Sequence, residues 1–273
     1  MQLLMEEWRL LRFESPENPN LNLAVEEALL KSLSEKGVKT LRFWRNSKAV
    51  VIGRFQCPLL EVNFEECVNK GVKVVRRHTG GGAVYHDMGN LNFTLVFTKP
   101  LRELPDIFRE VGEAVAEGLR ALGLKSSFKP MNDVAVGQRK VAGLAGYVGK
   151  GVVLVHGCLL VSTDIDMLSR VLSVSREKLR DKFVTSVRSR VTTVSEELGR
   201  DASTREVEEM LLEAFKHALS FEVYEEDLSR EELAYAESLY QEKYSKAEWL
   251  GWLCKKCPLR NEHWSMIERL LRV

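Results

Sequence analysis

The 273-residue chain is 45% hydrophobic and 29% charged, which excludes global disorder and allows a sizeable core without disulfide or metal staples. Forty basic and 39 acidic residues leave a net charge of +1, excluding the class that grips nucleic acid by bulk positive charge. No apolar run reaches the length of a membrane span, and the N-terminal MQLLMEEWRLLRF is unlike a signal peptide. An odd count of five cysteines fits a reducing, cytoplasmic setting better than a secreted disulfide scaffold.

In chain order, Leu10–Glu14 reads as a strand and Ser15–Asn20 as a turn. Asn22–Ser34 reads as a helix with Leu23, Ala24, Ala28 and Leu29 on its apolar side. Leu41–Trp44 and Ala49–Ile52 read as two strands around the turn Arg45–Lys48, with Gly53 at a bend. A short helix over Val62–Lys70 leads to a strand at Val72–Val75. Strand character resumes at Ala83–Tyr85 and Leu91–Phe97. Helical spacing of Ile107, Phe108, Val111, Val115 and Leu119 marks a helix over Pro105–Leu122. Val134–Val136 and Lys140–Ala142 form a strand pair turned by Gly137 and Gln138, and Val152–Val161 suits a buried strand. From Asp164 the chain reads as mainly helical and charged, with long helical patterns over Thr204–Leu219 and Arg230–Tyr244 and a seam near Asp181–Thr193. The class is α+β, with largely antiparallel, mixed sheets flanked by helices and a helical C-terminal region.

The strongest local feature is RRHTGGGAVYHDMGNLN, Arg76 to Asn92. Three successive glycines let the main chain approach a ligand and turn N–H groups toward an anion. Arg76 and Arg77 upstream suit phosphate or carboxylate oxygens, and Asn90 and Asn92 share a strand face. A tight hairpin with a solvated basic rim is the plainer alternative. The loop has neither the Lys-Ser/Thr ending of a P-loop nor the spaced glycines of a dinucleotide fingerprint.

Lys140 enters an apolar strand, where its ammonium needs an anionic partner or must reach solvent from the strand end. Strand parity turns Arg139 the other way. Asp133 is a single candidate magnesium carboxylate. His156 and Cys158 share a strand face. A nucleophilic pair is one reading, and a buried histidine beside a buried thiol is the favoured one. Cys254 and Cys257 form CKKC, a redox pair or half a metal site with His263 as a third ligand, or neither. Cys57 and Cys67 read as packing residues. Trp44, Phe55 and Phe64 either line an acyl pocket or pack the core.

Taken together, these segments resemble the lipoate–protein ligase A family, in its shorter archaeal type. The likeness rests on NLAVEEALL (Asn22–Leu30), LRFWRNSKAVVIGRFQ (Leu41–Gln56), RRHTGGGAVYHDMGNLNF (Arg76–Phe93), NDVAVGQRKVAG (Asn132–Gly143), HGCLLVSTDIDML (His156–Leu168) and EKYSKAEW (Glu242–Trp249). It implies a catalytic domain of biotin/lipoate ligase type over residues 1–249, with 250–273 as a helical tail. It implies that Arg76, Gly80, Gly81 and Gly82 border the acyl and phosphate site. Ala83, Tyr85, His86, Asp87, Asn90, Asn132, Ala142 and His156 belong to the substrate and nucleotide site by the same likeness. Lys140 is the implied catalytic lysine, Asp133 the magnesium ligand, and Trp44, Val50 and Arg76 the acyl pocket.

The implied reaction converts lipoate or octanoate to an acyl-adenylate with ATP and Mg2+, then transfers the acyl group to a lysine of an apo lipoyl carrier, either a 2-oxoacid dehydrogenase E2 domain or the glycine-cleavage H protein. Lys140 acts as an electrostatic clamp, and each buried methylene of the acyl chain contributes about 0.8 kcal/mol. The chain ends before the extra domain of the large bacterial enzymes, so a separate small accessory protein is an expected partner; nucleic acid and membrane are not. The cysteine-dependent octanoyltransferases carry their nucleophile just before the lysine motif, where this chain has Lys129-Pro130-Met131. The alternatives are such a transferase, using Cys158, or a non-catalytic acyl- or nucleotide-binding relative.

Overall fold

The computed structural model describes residues 6–98, 103–149, 151–172, 189–252 and 260–273. The elements are β1 (Glu6–Leu11), α1 (Pro19–Lys36), β2 (Thr40–Trp44), β3 (Lys48–Ile52), α2 (Pro58–Glu61), α3 (Phe64–Lys70), β4 (Lys73–Arg76), β5 (Val84–Asp87) and β6 (Asn90–Thr98). They continue with α4 (Leu104–Ala121), β7 (Ser126–Lys129), β8 (Asp133–Val136), β9 (Arg139–Gly149), β10 (Val152–Leu160) and α5 (Ile165–Val171). Then come α6 (Val194–Leu198), α7 (Thr204–Leu219), β11 (Phe221–Glu225), α8 (Arg230–Leu239), a π turn (Tyr240–Tyr244), α9 (Ala247–Leu250) and α10 (Arg260–Leu270).

The described strands form an eight-stranded sheet, β11-β1-β2-β6-β10-β9-β8-β7, and a three-stranded sheet, β4-β3-β5. β1 runs parallel to both β11 and β2, and β3 runs parallel to β4. The other pairs are antiparallel, so the mixed, largely antiparallel α+β expectation holds.

One face of the large sheet carries Phe43, Leu91, Phe93, Leu95 and Val155 and closes an apolar core with Val111 and Leu119 of α4 and Leu211 and Phe215 of α7. The opposite face meets α1 and the small sheet, through Leu23, Leu29, Trp44, Val51 and Val96. The outer face of the small sheet packs Val50, Ile52 and Val74 with Cys67 of α3, Leu168 of α5 and Leu250, Ile267 and Leu270 of the C-terminal helices.

α1 starts where Asn18 accepts the Leu21 N–H and Pro19 fills the first helical position, and it stops at Gly37 with φ 73°. Those caps extend it by a few residues beyond Asn22–Ser34 at both ends.

Several elements differ from the sequence reading. The first strand is Glu6–Leu11 rather than Leu10–Glu14, because pairing with β2 and β11 places it there. β2 and β3 do not form a hairpin. They belong to different sheets, and Asn46 between them is buried against Asn22 and His86. β9 runs on to Gly149 because β10 pairs with it from Ala142 to Gly149, despite the glycines that obscure its pattern. Polar β7 and the short β11 are additional strands; β11 interrupts the helical last third. Residues 181–188 of the expected seam, Cys254 and Cys257, and the side chain of His263 lie outside what is described.

Candidate functional site

Strand pairing builds the floor of the site. Asp133 of β8, Gly143 of β9, Cys158 of β10, Asn92 of β6 and Trp44 of β2 lie directly opposite one another across five strands. The next row on that face is Ala145, His156, Thr94 and Arg42. From Gly143 to Trp44 is three inter-strand steps, about 14 Å. Val51, Val84 and His86 of the small sheet, with Arg77 and Gly82 of the glycine loop, roof this row and enclose a cavity. Lys140 stands at one end of it, its Nζ 2.6 Å from Asp133 Oδ1. A second, more apolar recess under Tyr85, Ala142, Leu160 and Leu168 shares Lys140, Gly143, Cys158, Ala83 and Val84 with the first.

Buried polar chains shape the cavity walls. Trp44 Nε1 donates to Thr94 Oγ1 (2.9 Å), and Thr94 Oγ1 donates to Glu26 Oε1 (2.6 Å). His156 Nδ1 lies 2.8 Å from the same carboxylate, and its Nε2 lies 2.7 Å from Thr79 Oγ1, at the mouth of the glycine loop. Burial pushes the Glu26 carboxyl up, but His156, Thr94 and Arg42 outweigh it and hold it below the usual range. This pairing lets the fold keep a charge inside. Glu26 escaped the sequence reading, although an acid three residues after Leu23 on the buried side of α1 was a usable signal.

Arg77 is buried, and its guanidinium holds the glycine loop shut on itself. It donates to Thr79 Oγ1 and to the carbonyls of Val51, Gly80 and Gly82. Burial pulls its pKa down to about 10. Gly81 sits at φ 91°, the left-handed region that suits glycine. The loop therefore turns the Gly80 and Gly82 carbonyls toward an arginine.

Comparison with known proteins converges on one family. The profile of the lipoyl protein ligase A/B catalytic domain matches residues 18–216. The chain belongs to that family. It is 39% identical over 260 residues to lipoate-protein ligase A subunit 1 of Thermoplasma acidophilum, covering 92% of this chain and 98% of the relative. By contrast it spans 58% of the Bacillus subtilis lipoate-protein ligase LplJ, at 37% identity over 71% of this chain. Among solved structures it is similar to a bi-partite archaeal lipoate protein ligase described with its E2 lipoyl domain, from Thermoplasma acidophilum. There the TM-score is 0.86 and the identity 40%, covering 90% of this chain and 97% of that one. It is also similar to lipoate-protein ligase A bound with ATP, with TM-score 0.81 and 36% identity over 89% of this chain and 98% of that one.

Within this ligase-family fold, the sequence-derived residues separate into two groups. Lys140, Asn132, His86, His156, Gly82, Ala83 and Trp44 line the cavity, while Tyr85 and Ala142 line the adjoining recess. Asp133 holds Lys140, and Asn132 Nδ2 donates to the Leu144 carbonyl. The others sit elsewhere. Arg76 does not line the cavity: it is fully buried and donates to the carbonyls of Gly53, Gln56, Trp249 and Leu250, stapling the C-terminal segment to the small sheet. Val50 packs on the outer face of that sheet, and its neighbour Val51 takes the cavity side, as period-two alternation requires. Asp87 accepts the Gly89 and Asp164 N–H groups, closing the β5–β6 turn. Asn90 is not among the cavity-lining residues and donates to Asn92, its neighbour on the same strand face. Gly80 and Gly81 belong to the roof loop through the Arg77 contacts. Phe55 is exposed and Phe64 packs beside α10, so Trp44 alone of the aromatic trio reaches the cavity. Arg139 turns away to Glu197, as parity predicts. Cys67 is buried, which pushes its thiol up to about 12, in keeping with a packing role.

Proposed function

We propose that this chain is an ATP-dependent lipoate–protein ligase. It activates lipoate or octanoate as the acyl-adenylate and passes the acyl group to a carrier lysine. The observation that carries this is Lys140, held by Asp133 at one end of a cavity whose other end is walled by Trp44, Leu23 and Val51. Family membership over nearly the whole chain, and relatives described with lipoic acid and with ATP, support the same reading.

In the first step a carboxylate oxygen bonds to the α-phosphorus of ATP and pyrophosphate leaves. In the second, the carrier lysine amine attacks the acyl carbonyl, AMP leaves, and the amine gives up a proton. Lys140 touches the carboxylate and α-phosphate and stabilises their developing charge. The glycine loop excludes water from the mixed anhydride. Among the described residues no cluster of three or more His, Cys, Asp or Glu is poised to hold a metal. One protein carboxylate with substrate phosphates is nevertheless the usual Mg2+ arrangement, so Asp133 fits, and the ion would neutralise phosphate charge.

The partners in this reading are an apo lipoyl domain of E2 or an H protein, together with a small accessory protein completing a bi-partite enzyme. Residues 1–249 form the catalytic domain and 250–273 its tail. A cytoplasmic location belongs with it: Cys57, Cys67 and Cys158 are free thiols, and no helix of the described residues is long and apolar enough to cross a membrane.

The test is lipoylation of an apo lipoyl domain with lipoate and ATP-Mg, with and without the accessory protein, for the native chain and Lys140→Ala. The variant should keep its fold and lose adenylate formation; full activity would falsify the role given to Lys140. A thiol-transfer reading is favoured only by the place of Cys158, which lines both recesses beside Lys140. Burial pushes that thiol up, with Lys140 and Arg77 opposing only in part, so it is a poor nucleophile. Cys158→Ser should leave ligation nearly unchanged, and abolished turnover with loss of a thioester would establish the transferase.

A further inference from the structure

The far end of the cavity is not simply apolar. Ser15 N–H and Arg42 Nη2 both donate to Asn22 Oδ1, which fixes the Asn22 amide. Its Nδ2 therefore donates to Asn46 Oδ1, at 2.8 Å. Asn46 in turn presents Nδ2 to His86 Nδ1, at 3.1 Å. The acceptor role of Nδ1 leaves the proton of the neutral ring on Nε2. His86 is neutral, because burial, then Arg77 and His156, push its pKa down to about 3. His86 is 4% exposed, it lines the cavity, and its Nε2 has no partner among the described residues.

Asn92 repeats the pattern from the floor. Its Oδ1 accepts from Asn90, it is 1% exposed and it lines the cavity; Asn92 Nδ2 and Asn90 Oδ1 are both unpartnered among the described residues, so the Asn92 amide is free to turn its donor to a ligand. The two side chains flank Trp44. The His86 ring stands edge-on to it at 6.0 Å, and Asn92 is its neighbour across the sheet. Asn92 lies two strands from Gly143, about 10 Å along the row, at the opposite end from Lys140.

An unpaired buried donor costs free energy that a bound ligand recovers only by supplying an acceptor. A site carrying such donors rejects an isostere lacking the acceptor. We propose that His86 and Asn92 are specificity-determining residues, selecting an acyl chain with a hydrogen-bond acceptor near its far end and so favouring the disulfide-bearing lipoate over the plain alkyl chain of octanoate. The inference rests on the ligase reading, since that reading puts the carboxylate at Lys140. Ring sulfur is a weak acceptor, so the selection is moderate.

The test is calorimetric binding of lipoate and of octanoate to the native chain, His86→Phe and Asn92→Leu, with thermal unfolding of each protein. The native chain should bind lipoate about tenfold more tightly than octanoate, the scale of one unpaired buried donor. Each variant should bring the two affinities together by weakening lipoate more than octanoate. A merely structural role would weaken both acids alike and leave their ratio untouched. Equal affinities in the native chain, or an unchanged ratio in both variants, overturn the inference and leave the ligase reading standing. Failure of the native chain to bind either acid, with no carrier lipoylation, overturns the ligase reading itself.

Discussion

The two faces of the eight-stranded sheet use the same strands for opposite ends. On one, Leu91, Phe93 and Leu95 alternate into an apolar core. On the other, Thr94 joins Trp44, Glu26 and His156 in a buried polar web around a cavity that Asn92 also lines. Neighbouring residues on one strand differ in face alone. The apolar face holds by volume and the polar face by the bonds of this web, so each should fail to a different kind of substitution.

The largest expected effect on stability lies at the edge of the polar face. Arg9 of β1 forms two bonds to Glu232 of α8, at 2.7 and 2.8 Å, with both side chains nearly inaccessible. Glu232→Gln leaves a buried guanidinium with only the exposed Glu226 carboxylate, 3.9 Å away, and should cost about 3 kcal/mol in chemical denaturation. Burial pushes the Glu232 carboxyl up, but hydrogen bonds from Arg9, Ser32 and the Ser229 N–H bring it down to about 2 from 4.5. A depressed carboxyl stabilises the fold above the unfolded value, so that contribution is intact above pH 4.5 and lost as pH falls toward 2. Acid denaturation of the native chain should steepen in that window, and the glutamine variant should show a shallower slope.

Two glycines sharpen the contrast. A Cβ on Gly143, which faces the cavity, would lie 2.9 Å from Lys140 Nζ, a flexible end that can move aside. Gly143→Ala should unfold at nearly the native temperature but lose about a hundredfold in adenylation, because the lysine is displaced. A Cβ on Gly157, which faces the core, would lie 2.3 Å from Phe93 Cζ and 2.8 Å from Leu144 Cδ2. Gly157→Ala should cost about 2 kcal/mol by overpacking, read by denaturant unfolding. If the alanine at 143 destabilised the fold as much as the one at 157, the division between faces would be wrong.

Thr94→Val, which keeps shape and removes one hydroxyl, is the mildest of these. It strips a partner from both Trp44 Nε1 and Glu26 Oε1, and should cost about 1 kcal/mol. A shape-conserving change that cost nothing there would show that the web adds no stability.

Most single elements were legible in the residues. The spacing of Ile107, Val111 and Val115 marked α4, Gly137 marked the β8–β9 turn, and Lys140, which the structure pairs with Asp133, stands at one end of the cavity. Val50 and Arg76 lie off the cavity lining, at places where alternation carries no information. Val50 and Val51 are both apolar because the small sheet is covered on both faces, so the pattern cannot say which one faces the cavity. Arg76 and Arg77 are chemically identical, and only the positions of the surrounding carbonyls make one a staple for the C-terminal segment and the other a clasp on the glycine loop.

Local pieces were readable from the residues alone: the capped α1, the glycine run, the lysine hairpin and a family likeness strong enough to name a chemistry. Tertiary structure alone decided which strands share a sheet, and hence that Asp133, Gly143, Cys158, Asn92 and Trp44 stand in one row. The reason is that turn and helix signals act over a few residues. Register between strands is settled by pairing across long stretches of chain, and a shift of one residue would turn every side chain in that row to the other face.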